Sequence, residues 1–226
     1  MMKHEFEKQL EALEKNGFNR RQFLKIMAAA GIISVASTQQ AKAFSSDAKG
    51  KIVIIGGGAA GISMAARLKS WLNSPDITLI DPSDRQFYQP GFTLIASGVY
   101  QPNDVWKKQD DCMPDGIKWI KDSVTAVDPV WNQVTTNNNG KIPYDFLVLT
   151  PGLQTNWEKV EGITHDTLGQ GNANSIYDFE GAQKTWKALQ EFSKTGGRGI
   201  FTDTYTKHKC GGAPKKICLL TEHYNR

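Results

Sequence analysis

The sequence predicts an α/β fold: a Rossmann-like dinucleotide-binding domain carrying an antiparallel β insertion. Three observations predict it. The apolar run Lys51-Ile52-Val53-Ile54-Ile55 leads directly into a glycine loop, Gly56-Gly57-Gly58-Ala59-Ala60-Gly61. A helical pattern and a second apolar run follow, and Asp81 closes the second run 20 positions after Gly61. Strand, G-x-G-x-x-G, helix, strand and acidic residue in that order form the dinucleotide fingerprint, whereas the glycines alone would be weak evidence.

The chain has 226 residues and begins with Asn19-Arg20-Arg21-Gln22-Phe23-Leu24-Lys25, a mostly apolar stretch to Ser37, and Ala41-Lys42-Ala43. That pattern predicts a twin-arginine export signal over 1–43 with an A-x-A cleavage site, hence a periplasmic protein. The apolar stretch is about a dozen residues, short of the roughly 20 that span a bilayer. Residues 1–43 hold seven Lys/Arg and four Asp/Glu, leaving 20 basic and 19 acidic residues in the 183 that follow. With near-zero net charge and no basic stripe, nucleic acid is excluded as a partner.

The remaining elements follow in order. A buried parallel strand accounts for the uninterrupted apolar run at 51–55. In the loop, Gly56 permits the tight turn, Gly58 lets backbone approach a pyrophosphate, and Gly61 lets helix and strand pack closely. The amides of Ala59 and Ala60 open the helix and face the phosphate oxygens. The helix covers about 59–72, with Ile62, Ala65, Ala66 and Leu68 inward, and the second strand covers 77–80. Asp81 then stands where a ribose hydroxyl is bound. Strands at 117–120, 123–127, 133–136 and 144–149 have no helix between them, so they read as an antiparallel insertion, with Asn137-Asn138-Asn139-Gly140 turning between the last two. Thr150-Pro151-Gly152 forms a strand-exit turn. Phe179, Ala182, Trp186, Leu189 and Phe192 mark an amphipathic helix over 178–194. A strand at 199–202 and a helix beginning near Pro214 complete the chain. A first domain is expected over 44–165, and the start of a second over 166–226.

Three cysteines, Cys112, Cys210 and Cys218, contain no CxxC pair. Cys210 lies in Lys209-Cys210-Gly211-Gly212-Ala213-Pro214, just before a helix start and among His208, Lys209, Lys215 and Lys216. Helix dipole and cations both favour a thiolate and attract a small anion. A packed, inert cysteine is the alternative. Cys218 reads as packing, and Cys112 as an inert cysteine, with an extra surface thiol or a sulfur carrier as the alternative. His208, Cys210, Cys218 and His223 have metal-binding chemistry, but Cys218 and His223 on one helix stand about 140° apart, so no metal site is expected.

The segments Phe87-Tyr88-Gln89-Pro90, 184–190 (Lys-Thr-Trp-Lys-Ala-Leu-Gln) and Lys209 to Lys216 together resemble the sulfide:quinone oxidoreductases, in their mitochondrial-like branch, from about Lys51 to Tyr224. The resemblance implies an FAD cofactor and an architecture of two dinucleotide-binding-like domains, of which this sequence would be an incomplete part. Asp81 would hold the adenosine ribose, and Gln89, Val124, Thr150 and Gly152 would lie against the cofactor. It implies that Cys210 is one of two redox cysteines: sulfide opens their bridge, a persulfide forms, and electrons pass through flavin to membrane quinone. The full-length enzymes of this kind associate peripherally with membranes and are about twice as long, so a second cysteine and a membrane-binding segment would lie beyond this sequence. Loop 203–208 departs from the proline-containing approach to the cysteine expected in the family. Two other readings remain: the flavoprotein subunit of flavocytochrome c sulfide dehydrogenase, opposed by the absence of cysteine at 85–92, and a non-catalytic FAD-binding fragment.

Overall fold

A computed structural model describes residues 46–204 and 208–226. The expected leader lies outside the described residues, as do residues 205–207. The chain divides into two units. In the first, Ser46 donates its amide to Trp71 O at 2.8 Å and accepts from Asn73 N at 3.0 Å, while Asn73 Nδ2 donates to Asp47 Oδ1 at 2.7 Å. The second unit holds the sheets and every candidate site residue.

Its centre is a four-stranded parallel sheet built from β1 (Lys51–Ile55), β2 (Asp76–Ile80), β5 (Lys118–Ile120) and β9 (Phe146–Leu149), in the order β5-β2-β1-β9. Ile52 pairs with Ile77 on one side and Phe146 on the other. Ile52, Val53 and Ile54 are all buried, as a parallel strand covered on both faces requires. Helix α1 (Ala59–Trp71) buries Gly61 and Ala65, with Ile62 and Leu68 half-buried. Ala66 was expected inward but is exposed. One step of ~100° from Ala65 carries it off the face that Gly61 and Ala65 share.

The antiparallel insertion consists of β6 (Val124–Asp128), β7 (Gln133–Thr136) and β8 (Lys141–Pro143). Two expectations change here. The turn at 137–140 joins β7 to β8 rather than to the strand at 144–149. The strands at 117–120 and 144–149 belong to the parallel sheet, at its two ends. β8 has only three residues and ends on a proline, tolerable at a sheet edge, which leaves little alternating pattern to read. The turn is tied down by Asp122, 3% exposed, which accepts from the amides of Ser123, Asn138 and Asn139 and from both asparagine side chains at 2.7–3.1 Å. Burial opposes its charge, but these donors outweigh burial and hold the carboxyl well below the usual carboxylate range.

Between β2 and β5 the chain forms the hairpin pair β3 (Arg85–Phe87) and β4 (Trp106–Lys108), with short helices α2 (Phe92–Ile95) and α3 (Gln109–Cys112). α4 (Phe179–Thr195) is capped by Asp178, whose Oδ1 accepts from Gly181 N at 2.5 Å, and stops at Gly196 with φ +69°. α5 (Ala213–Tyr224) starts on Pro214 within its first turn. One core cluster joins Phe92, Ile95, Ala96 and Val105 to Ile176, Ala182, Ala213 and Ile217, and so ties α4 and α5 to α2. Residues 199–202 form no strand: Ile200 is 78% exposed and Phe201 42%, because none of the described strands runs beside them.

Candidate functional site

The glycine loop leaves β1 at the middle of the parallel sheet and enters α1. Gly56 has φ +100°, and a Cβ there would lie 2.1 Å from Thr150 O. At Gly61 a Cβ would lie 1.8 Å from Gly56 O, so helix and loop approach more closely than any side chain permits. A Cβ added at Gly58 would meet no other described residue within 4 Å beyond its chain neighbours, which leaves room for a pyrophosphate. Thr150 donates its hydroxyl to Ile55 O at 2.8 Å and Gly56 O at 3.0 Å, bringing the Thr150-Pro151-Gly152 turn against the loop. Gly152 is exposed at φ +75°.

Asp81 Oδ2 accepts from Gly57 N at 2.6 Å and Oδ1 from Ser83 N at 2.7 Å. A carboxylate offers about four lone-pair sites, so two amides leave capacity for a ribose hydroxyl. Two glutamines complete the loop and were not foreseen. Gln109, 1% exposed, donates Nε2 to Gly57 O at 2.8 Å. Gln86, with its amide turned to suit its neighbours, donates to Gly57 O at 3.0 Å and to Gln109 Oε1 at 3.3 Å and accepts from Ala59 N at 3.0 Å. Neither lies in a periodic pattern that would mark it in the sequence. Val124 packs against the cluster of Val53, Ile80, Val134 and Tyr144.

A second site gathers around Cys210. This residue is exposed, has φ +57°, and its carbonyl accepts from Ala213 N at 2.9 Å at the entrance to α5. It lines a pocket of about 160 Å³ with Gln89, Pro90, Thr93, Ile176, Tyr177, Lys209, Ala213 and Lys216. Lys209 Nζ donates to Gln89 Oε1 at 2.6 Å and stands 5.8 Å from the Phe92 ring centre and 5.9 Å from that of Tyr177. Burial pushes the Lys209 ammonium below its ordinary pKa, against the opposing charges of Cys210 and Asp178. Asp203 answers the cations on the other side: Lys215 Nζ donates to Oδ2 at 2.5 Å, and His208 Nε2 lies 3.2 Å from Oδ1. The bond from Lys215, opposed by burial and aided by the charges of Lys215 and His208, holds the Asp203 carboxyl low. The cationic field expected around Cys210 is therefore partly balanced, with Lys209 and Lys216 left as the basic groups lining the pocket.

Among the described residues Cys112, Cys210 and Cys218 are all free thiols, and no three His, Cys, Asp or Glu side chains gather as a metal site. No helix among them is long and apolar enough to cross a membrane.

A parallel sheet, a glycine loop turned into a helix, an acidic residue at the end of β2 and an antiparallel insertion define a dinucleotide-binding oxidoreductase domain. The chain belongs to the pyridine nucleotide-disulphide oxidoreductase family, whose model matches residues 50–192. It is similar to the mitochondrial sulfide:quinone oxidoreductase of Dictyostelium discoideum, 40% identical over 177 residues, covering 78% of this chain and 39% of that protein. It is also similar to the mitochondrial sulfide:quinone oxidoreductase of Mus musculus, 35% identical over 176 residues, covering 78% and 38%. The solved sulfide:quinone oxidoreductase of Aquifex aeolicus superposes with TM-score 0.53 at 30% identity, over 66% of this chain and 33% of that one. The chain thus spans about two fifths of the length of the curated relatives it matches.

Proposed function

We propose that this chain supplies the cofactor-binding part and one redox cysteine of an FAD enzyme that oxidises sulfide to sulfane sulfur and passes the electrons to a membrane quinone. The observation that carries the reading is the Gln89–Lys209 hydrogen bond, which draws the Phe-Tyr-Gln-Pro segment and the cysteine segment to one pocket. Similarity to sulfide:quinone oxidoreductases over 78% of the chain supports it.

The residues present fit FAD. Gly56, Gly58 and Gly61 clear space for a pyrophosphate and the amide of Ala60 is assigned to it, whereas the Ala59 amide, expected to share that role, already donates to Gln86, and Asp81 would take the adenosine ribose. Gln89, Val124, Thr150 and Gly152 are assigned to further cofactor contacts. When bound, the flavin supplies a two-electron acceptor. Cys210 bears the sulfur chemistry. Hydrosulfide attacks a disulfide joining Cys210 to a second cysteine; a new S–S bond forms, the old one breaks, and one persulfide and one thiolate remain. Transfer of the sulfane sulfur to an acceptor leaves two thiolates; re-forming their disulfide gives up two electrons, which reduce quinone to quinol. Lys209 and Lys216 draw the anion to the pocket. The twin-arginine pattern supports a periplasmic location, and peripheral attachment to the membrane suits a quinone acceptor.

The test is anaerobic addition of sulfide to the purified protein while its visible spectrum is recorded. Bleaching of bound flavin without nicotinamide supports the reading; bound flavin that sulfide leaves unchanged overturns it.

A further inference from the structure

Lys215 makes two bonds that meet at the cysteine turn. Its ammonium donates to Asp203 Oδ2 at 2.5 Å and to the carbonyl of Gly211 at 2.9 Å. Gly211 directly follows Cys210, so one cation joins the residue after the thiol to a carboxylate 12 positions before Lys215. The other oxygen of that carboxylate, Asp203 Oδ1, lies 3.2 Å from Nε2 of His208, two positions before Cys210. Asp203 thus reaches the chain on both sides of the cysteine, directly before it and through Lys215 after it.

The backbone alone restricts this turn weakly. Cys210 sits at φ +57°, a conformation that a residue with a Cβ disfavours, and two glycines follow it. No proline lies between Gly199 and Gly212 to fix the approach. Untied, Cys210 would favour negative φ, which swings its thiol away from the pocket that it lines. The side chains of Asp203 and Lys215 are 39% and 67% exposed. Exposed pairs add little to overall stability, so the effect of this one is local.

We propose that Lys215, anchored on Asp203, is a positioning residue for Cys210: it holds the left-handed turn that presents the thiol to the pocket. This rests on the reading of Cys210 as the sulfur-accepting thiol. It adds that Lys215 serves the turn rather than recruiting the anion.

The test treats the whole chain with polysulfide and follows sulfur gain at each cysteine peptide by mass. The Cys210 thiolate attacks a sulfur of the polysulfide; one S–S bond forms, one breaks, and a polysulfide one sulfur shorter leaves with the electron pair. Cys112 in the same chain serves as the internal reference. Asp203→Asn separates positioning from charge: removing a negative group near the pocket would speed attack on an anion, whereas losing the anchor slows it. Asp203→Asn and Lys215→Gln are each expected to slow sulfur gain at Cys210 about fivefold relative to Cys112, the upper scale for one exposed ion pair. The double variant should be no slower than the slower single, because the two side chains act as one unit. Lys215→Arg, which keeps the charge and more than one donor, should match the wild type. The urea midpoint should stay at the wild-type value in every variant.

An Asp203→Asn protein that gains sulfur as fast as the wild type, or faster, overturns the inference. So does a Lys215→Arg protein as slow as Lys215→Gln, or a midpoint that falls together with the rate, which assigns the pair to the fold. A wild-type Cys210 that gains sulfur no faster than Cys112 overturns both the inference and the reading of Cys210 beneath it. Flavin that sulfide never bleaches, beside a fivefold effect at Cys210, removes the quinone-linked reaction and keeps Lys215 as the positioning residue.

Discussion

Gln109 donates its side-chain amide to the carbonyl of Gly57, 2.8 Å away and 52 positions earlier in the chain. The bond fixes the middle glycine of the nucleotide loop from below, while Asp81 holds the amide of the same residue. The amide and the carbonyl of Gly57 are thus both held by side chains. Gln109→Leu removes the bond and leaves the carbonyl with Gln86 alone. The expected cost is about 1–3 kcal/mol of stability, read by urea denaturation, with weaker FAD binding read by flavin fluorescence.

Gly61→Ala places a methyl group on Gly56 O, where backbone cannot yield as a flexible side chain would. Overpacking of this kind costs about 1–3 kcal/mol. Flavin retention after gel filtration should fall sharply; a variant that keeps its full complement would show that α1 shifts to accept the methyl.

Asp122 gives a pH-dependent contribution whose sign follows from its lowered pKa. Its stabilisation is fully present above the unfolded carboxyl value of about 3.9 and is lost as pH falls through the lower folded value. Asp122→Ala should melt at a lower temperature than the wild type at pH 7. The gap should narrow as both proteins are acidified below about pH 4. A gap that stays constant across the acid range would assign the effect to packing rather than to charge.

Cys210→Ser keeps the size of the side chain and removes its sulfur chemistry. Flavin content should match the wild type, since none of the loop contacts at Gly56, Gly57 or Thr150 involves Cys210. Sulfide-dependent bleaching should disappear. Persistent bleaching in an anaerobic stopped-flow trace would remove Cys210 from the reaction.

The βαβ start was legible because its signals are local: an unbroken apolar run, glycines at fixed spacing, and Asp81 at the end of the second run. Sheet membership was less so. Phe146–Leu149 and Lys118–Ile120 look like hairpin strands in sequence, and only tertiary pairing with β1 and β2 makes them parallel. The apolar stretch at 199–202 has strand propensity but no strand beside it, and propensity yields to pairing. Of the sites, the glycines and Cys210 carry sequence signatures. Gln86 and Gln109 act through partners far along the chain, and a single polar residue carries no period that announces such a partner.

The left-handed backbone at Cys210 has a consequence for how this loop can vary. Glycine would take the same conformation without steric penalty, and two glycines already follow it. A Cys210→Gly protein should therefore be at least as robust to heat as the parent, while losing its thiol. A side chain held there at conformational expense fits the sulfur chemistry proposed for Cys210.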